Sequence, residues 1–229
     1  MKFVPVIFIG PSLPLHEART LIDADFRPPA KRGDLLDCVR SGHRVVGLID
    51  GYFLQEYPPS PHEVYTAVQS GVTIFGGASL GALRAVELER FGVCGVGQVY
   101  NDYRSGAIDG DDEVALTFDP QTFIPLSEPL INIRYTLQRA VDEQLLTDHE
   151  RIRIIHRLKH MPFHERNYSV VLEECFSYPS QSMIKQLETF LRTHRRDVKA
   201  EDAATVLRAV SSYVLDDGNA HFREQIKRM

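Results

Sequence analysis

Three unbroken apolar runs near the start of the chain constrain its fold more than any other feature: "FVPVIFIG" (3–10), "HRVVGLIDG" (43–51) and "GVTIFGG" (71–77). Each stops on small or polar residues: Gly-Pro-Ser, Asp-Gly and Gly-Gly. A strand with one wet face alternates apolar and polar side chains, whereas a strand covered on both faces reads as a continuous apolar run. Helical patterns occupy 14–22, 33–41, 61–70 and 79–91, the last with Leu80, Leu83, Val86 and Leu88 as its stripe. Strand and helix in alternation give an α/β fold, a Rossmann-like parallel sheet with helices on both faces. Ligands of such sheets bind beyond the carboxyl ends of the strands. Here those ends carry Ser12, Asp50 and Ser79.

From about residue 127 the pattern becomes helical throughout, in segments beginning at Ser127, Asp148, His164, Ser180 and Ala200. This reading divides the chain into an α/β core domain, 1–125, and a helical C-terminal region, 126–229, with no internal repeat. A net charge of −5 argues against the global basic field of a nucleic-acid-binding protein. Cys38, Cys94 and Cys175 stand alone, which fits a reducing cytosol and supplies neither a disulfide framework nor a zinc site. The first apolar run is too short for a secretory signal, and no segment approaches the roughly 20 apolar residues that span a bilayer. The expectation is a soluble cytoplasmic protein with no nucleic-acid or membrane partner.

Gly77-Ala78-Ser79-Leu80-Gly81 matches G-x-S-x-G. Small residues around a serine allow a sharp strand-to-helix turn that presents its hydroxyl, and the helix behind it offers backbone N–H groups to an oxyanion. The plainer reading is an anion-cradling or empty turn. Ser60-Pro61-His62-Glu63 opens the preceding helix. There Ser-x-x-Glu is the capping-box pattern, so Glu63 has a structural explanation, while His62 in the first turn is either a surface histidine or a neutral base. Asp50-Gly51 is either a turn or a carboxylate acting on His62 or Ser79.

"IDGDDEVAL" (108–116) crowds four acidic residues into five positions but lacks EF-hand spacing, so a solvated turn with Asp109 or Asp111 as helix cap is the simpler expectation. "FRPPAKRGD" (26–34) reads as a proline-stiffened loop whose Arg27, Lys31 and Arg32 face either solvent or an anionic partner. The basic stretches 151–160 and 192–199 read as exposed helix faces.

Taken together, "GPSL" (10–13), "FRPPAKRGDL" (26–35), "GLIDGYF" (47–53), "GGASLGALRAVEL" (76–88), "GVGQVYNDYRSGAIDGDDEVAL" (95–116) and "SEPLINIRYTL" (127–137) resemble the TfuA-like family. The resemblance implies a partner of a YcaO protein in ribosomal peptide thioamide biosynthesis. In that chemistry the partner activates a backbone amide with ATP, and sulfur replaces the carbonyl oxygen. The TfuA-like protein would hydrolyse the thiocarboxylate of a ubiquitin-like sulfur carrier protein and release sulfide, meeting the precursor peptide through YcaO. No cofactor or metal is implied, and the lack of G-x-x-x-x-G-K-[ST] agrees with ATP belonging to the partner. Ser79 would be the nucleophile, and backbone N–H groups at Leu80 and near Ser12 the oxyanion donors. Arg32, Arg84 and Arg134 would contact substrate, Arg84 having a structural alternative in a pair with Glu87. The base stays open between His62, Asp50 and Glu63. Two other functions compete: a non-catalytic adaptor that recruits the carrier or peptide to YcaO, and a generic α/β serine esterase. The lack of an HGGG-type loop counts against a lipase-like esterase.

Overall fold

The computed structural model describes residues 4–53, 56–175 and 181–215. The chain forms two compact units, one built from residues up to Asp109 together with the chain from Lys199 onward, the other from Gly110–Val198.

The first unit holds five parallel strands, β1 (Val6–Phe8), β2 (Asp25–Arg27), β3 (Val45–Leu48), β4 (Thr73–Gly76) and β5 (Cys94–Gly95), in the order β2-β1-β3-β4-β5. The three apolar runs are β1, β3 and β4, the three inner strands of the sheet. Their register pairs Phe8 with Leu48 and Leu48 with Gly76, so the last residues of all three strands line one edge. The edge strands β2 and β5 had no such signal. The stretch expected to be a loop from residue 26 begins inside β2, whose three half-buried residues, Phe26 between Asp25 and Arg27, are too few to read as a strand. Arg27 is held there by Asp25, at 2.9 Å, and by the His43 ring.

Helices α1 (Leu15–Leu21), α2 (Asp34–Arg40), α3 (Pro61–Gln69) and α4 (Leu80–Leu88) connect the strands, and α5 (Gln98–Ser105) follows β5. Helices α2, α3 and α4 pack side by side along one face. The last helix of the chain, α10 (Val198–Leu215), covers Ile7, Val45, Ile49 and Phe75 on the other, with α1 contributing Ala18. Gly47 makes room for the Ile7 side chain under α10: a Cβ there would sit 2.6 Å from Ile7 Cδ1, while Val210 Cγ2 would lie at an ordinary contact distance of 3.5 Å.

Asp202 of α10 is buried and caps α5, accepting from Gln98 N at 2.8 Å and Val99 N at 2.7 Å. Burial pushes its carboxyl up from 3.8 to about 6, against the opposing pull of those two amides. A carboxyl that binds its proton more tightly when folded stabilises the fold most below its unfolded value and loses that contribution as pH rises through its folded value. Denaturation of wild type and Asp202→Asn should therefore show wild-type stability declining relative to the variant between pH 3.8 and about 6. A difference that stays flat across that window would refute this titration.

The second unit contains α6 (Leu130–Asp142), α7 (Asp148–Lys159), α8 (Tyr168–Cys175) and α9 (Gln181–Thr193). They close around Leu130, Ile133, Leu137, Ile154, Leu158 and Phe190. A complete capping box, Thr147 with Glu150, starts α7. Asp109 and Asp111 of the acidic run are exposed, as expected of a solvated turn, but the rest of it is not. Its 3₁₀ turn starts at Gly110 without a side-chain cap, and Glu113 is fully buried in a two-point pair with Arg134, at 2.7 and 2.8 Å. Arg166, itself buried, takes Asp112 together with the carbonyls of Leu158 and Met161. Two arginines thus neutralise carboxylates that sequence alone leaves facing water. The basic stretch 192–199 is likewise no single helix face. It spans the break between α9 and α10, and Lys199 is buried. Among the described residues, no helix is long and apolar enough to cross a membrane.

Candidate functional site at the strand ends

In the sheet order observed, the connections from β1 and β3 leave toward opposite faces, which normally opens a ligand crevice between them. Here Asp50 ties that crevice shut. Its Oδ2 accepts from Gly10 N at 2.8 Å and Ser12 N at 3.0 Å, and its Oδ1 accepts from Ser12 Oγ at 2.6 Å. Ser12 and Asp50 are both buried, at 3% and 1% exposure. The Ser12 N–H, one of the expected oxyanion donors, is therefore spent on Asp50.

The turn after β4 differs. Ser79 N donates to Gly77 O at 2.7 Å, closing a γ-turn around Ala78. Ala78 has φ 64, and Ser79 follows with φ −129 and ψ −126. A γ-turn with positive φ is the rare, strained form, and a non-glycine residue held there costs about 1–3 kcal/mol. Ser79 stands at the N-cap of α4, yet its side chain makes no capping bond. The residue is 7% exposed, and its hydroxyl has no hydrogen-bond partner among the described residues. The next amide, Leu80 N–H, likewise has no acceptor there, while Gly81 N donates to Ile49 O at 3.1 Å. A buried, unclaimed hydroxyl thus sits beside an unclaimed amide at the positive end of a helix, an arrangement suited to developing negative charge.

The other expected site residues take different places. His62 is exposed, and its ring has no hydrogen bond among the described residues. Only half of the capping box forms: Ser60 Oγ accepts from Glu63 N at 3.2 Å, but the Glu63 carboxylate turns away. Its Oε1 instead accepts from Gly33 N at 2.9 Å and Leu35 N at 3.1 Å, capping α2 and fastening α3 to it. Arg84 donates to Pro59 O at 2.8 Å and pairs with Glu87, also at 2.8 Å. Arg32 is exposed and lies 4.8 Å over the Tyr57 ring. Arg134 belongs to the second unit, paired with Glu113.

Two buried charged residues of this unit, Lys199 and Asp202, were not among the expected site residues. Helix α10 crosses the sheet with Val210 and Val206 against Gly47, in the middle of β3. Val206 also meets Gly77, just past β4, and Asp202 meets Gly97, past β5. Moving toward its N-terminus, the helix therefore advances beyond the carboxyl ends of the strands. Lys199, nearly one turn before Asp202, continues that buried face at 2% exposure. The signal available in sequence was the spacing Lys199, Asp202, Val206, Val210, charged positions continuing an apolar stripe at intervals of three and four.

The family model described as TfuA-like protein matches residues 50–167, just over half of the chain. The chain belongs to the TfuA-like family. That family is associated with YcaO-dependent thioamidation. The TfuA-like match contains Asp50, Glu63, Ser79 and Arg84, and stops short of both Ser12 and Lys199. No curated protein matches the chain.

Proposed function

We propose that this TfuA-like protein hydrolyses the thiocarboxylate at the C-terminus of a ubiquitin-like sulfur carrier protein and releases sulfide for a YcaO partner. The observation that carries the reading is the buried, unclaimed Ser79 hydroxyl on its strained turn, beside the unclaimed Leu80 N–H. Ser79 Oγ attacks the acyl carbon, and the oxyanion forms against Leu80 N–H and the helix end. Of the expected bases, Asp50 and Glu63 already hold backbone amides and His62 is exposed, so none of the three is assigned as the base. The seryl proton passes to sulfur, so that hydrosulfide leaves and an acyl-Ser79 ester remains. Water then attacks the ester, its proton is returned to Ser79 Oγ, and the carrier departs as a carboxylate, its acid proton going to solvent.

A persulfide route through cysteine has less support. Desolvation pushes the thiols of Cys38 and Cys94 up to about 11, and Cys175 lies in the core of the second unit. Cys38→Ala and Cys94→Ala should keep sulfide release within about twofold of wild type, whereas a persulfide carrier would lose it. The test of the seryl route incubates the protein with thiocarboxylated carrier, measures sulfide, and traps acyl-Ser79 by acid quench and mass spectrometry. Wild type should yield the Ser79 adduct, and sulfide release with no such adduct would remove the seryl route.

A further inference from the structure

We infer that Gly51 is a positioning residue for this site: its bare backbone seats the Leu80 side chain, and that seat fixes the first turn of α4, which carries the Leu80 N–H beside Ser79. The inference rests on the proposed function above. A Cβ on Gly51 would lie 2.0 Å from Leu80 Cδ2 and 3.1 Å from Leu80 Cγ, so the leucine rests directly on the Gly51 backbone. Gly51 does not have a positive φ, so glycine serves there for room and not for conformation. Leu80, 6% exposed, is the first residue of α4 and follows Ser79 directly.

The seat itself is held from both sides. Asp50 O accepts from Ala30 N at 2.9 Å, and Tyr52 N donates to Ala30 O at 3.1 Å, so the peptide groups flanking Gly51 are both bonded to the buried Ala30. The turn it faces needs restraint, since Ala78 has φ 64 and strain of that kind persists only where the surroundings over-determine it. One restraint from β3 is the bond from Gly81 N to Ile49 O at 3.1 Å. A single bond fixes a point about which the turn can pivot. The Leu80 contact with Gly51 adds a second point and so fixes a direction. Direction matters for an amide that stabilises an oxyanion, because such a bond weakens steeply as it bends.

Leu80 Cδ2 is the far end of a flexible side chain, so Gly51→Ala displaces the leucine in a protein that can still fold. The test compares wild type, Gly51→Ala, Leu80→Ala, the double variant and Ser79→Ala on thiocarboxylated carrier, reading kcat and KM separately, with folding checked by thermal melts. Gly51→Ala should lower kcat by about 10²-fold with KM changed less than about twofold, because the misdirected amide acts on the transition state. Leu80→Ala, which loses the contact without a clash, should lower kcat by about tenfold. The double variant should recover to the level of Leu80→Ala, since the new methyl then meets no leucine. The same Cβ would lie 3.2 Å from Ala30 O, and a loss arising there would not be rescued. A folded Gly51→Ala with the wild-type kcat, or a double variant as slow as Gly51→Ala, overturns the positioning role; with Ser79→Ala inactive, the proposed function still stands. If Ser79→Ala releases sulfide like wild type, the proposed function itself fails. Should Gly51→Ala not fold, Leu80→Ala decides: a wild-type kcat there overturns the positioning role, and a tenfold loss at unchanged KM supports it.

Discussion

Ser79→Ala is expected to lower sulfide release from thiocarboxylated carrier by roughly 10⁴- to 10⁶-fold, the range seen when a covalent nucleophile is deleted. The substitution removes only an oxygen that has no hydrogen-bond partner among the described residues, and Ser79 offers α4 no side-chain cap. Stability should therefore change by less than about 0.5 kcal/mol, because no native bond is broken. That separation of effects makes the result readable: an unchanged melting transition with activity gone assigns Ser79 to chemistry. A fluorophosphonate probe should label wild type and leave the variant unmodified. Wild-type sulfide release by Ser79→Ala would instead favour an adaptor that holds the carrier without cleaving it. A generic esterase would differ in the other direction, with Ser79-dependent hydrolysis of simple esters and no preference for the carrier.

Gly81→Ala should destabilise the protein by about 3 kcal/mol and impair catalysis in whatever fraction stays folded. A Cβ at Gly81 would lie 1.8 Å from Leu48 O and 2.7 Å from Leu48 C, both backbone atoms of β3. Gly76 shows the same crowding from the other side, since its Cβ would fall 2.3 Å from Gly81 O. No rotamer change relieves a clash of backbone on backbone, so α4 must move off the sheet and carry Ser79 with it. Displacement of about 1 Å at the nucleophile is enough to cost about 10²-fold in rate. Urea denaturation and sulfide release on the same preparation check both parts. A stable, fully active Gly81→Ala protein would show that α4 does not need this approach to the sheet.

Within G-x-S-x-G the final glycine serves packing. The strained Ala78 turn and the Ser79 hydroxyl, unclaimed among the described residues, have no packing purpose that the contacts reveal. The pattern alone could not separate the two.

Most of the α/β framework was legible because its signals are local. Strands β1, β3 and β4 announce themselves as unbroken apolar runs, and helices α1 to α4 fall on the segments expected of them. Strands β2 and β5 were not legible, since Phe26 between two charged residues and a strand of two residues carry no periodicity. Helices α6 to α10 were legible from their stripes, but the company they keep was not. The composition changes character near residue 127, whereas the compact units part between Asp109 and Gly110 and the chain returns to the first at Lys199.

The site divides in the same way. The apolar runs alone were enough to put Ser12, Asp50 and Ser79 at strand ends, because a strand terminus is set by the run that precedes it. The part each residue plays there emerges from long-range packing. Asp50 and Glu63, equal candidates as bases, are committed to amides 38 to 40 and 28 to 30 positions away, contacts to which no local pattern points. Arg134 and Glu113 find each other across 21 positions. Helix α10 folds back over the sheet, with Asp202 bonded to amides 103 and 104 positions earlier. Periodicity reports which face of an element is buried. Which distant groups meet on that face depends on how the elements pack, and that is set by the whole chain at once.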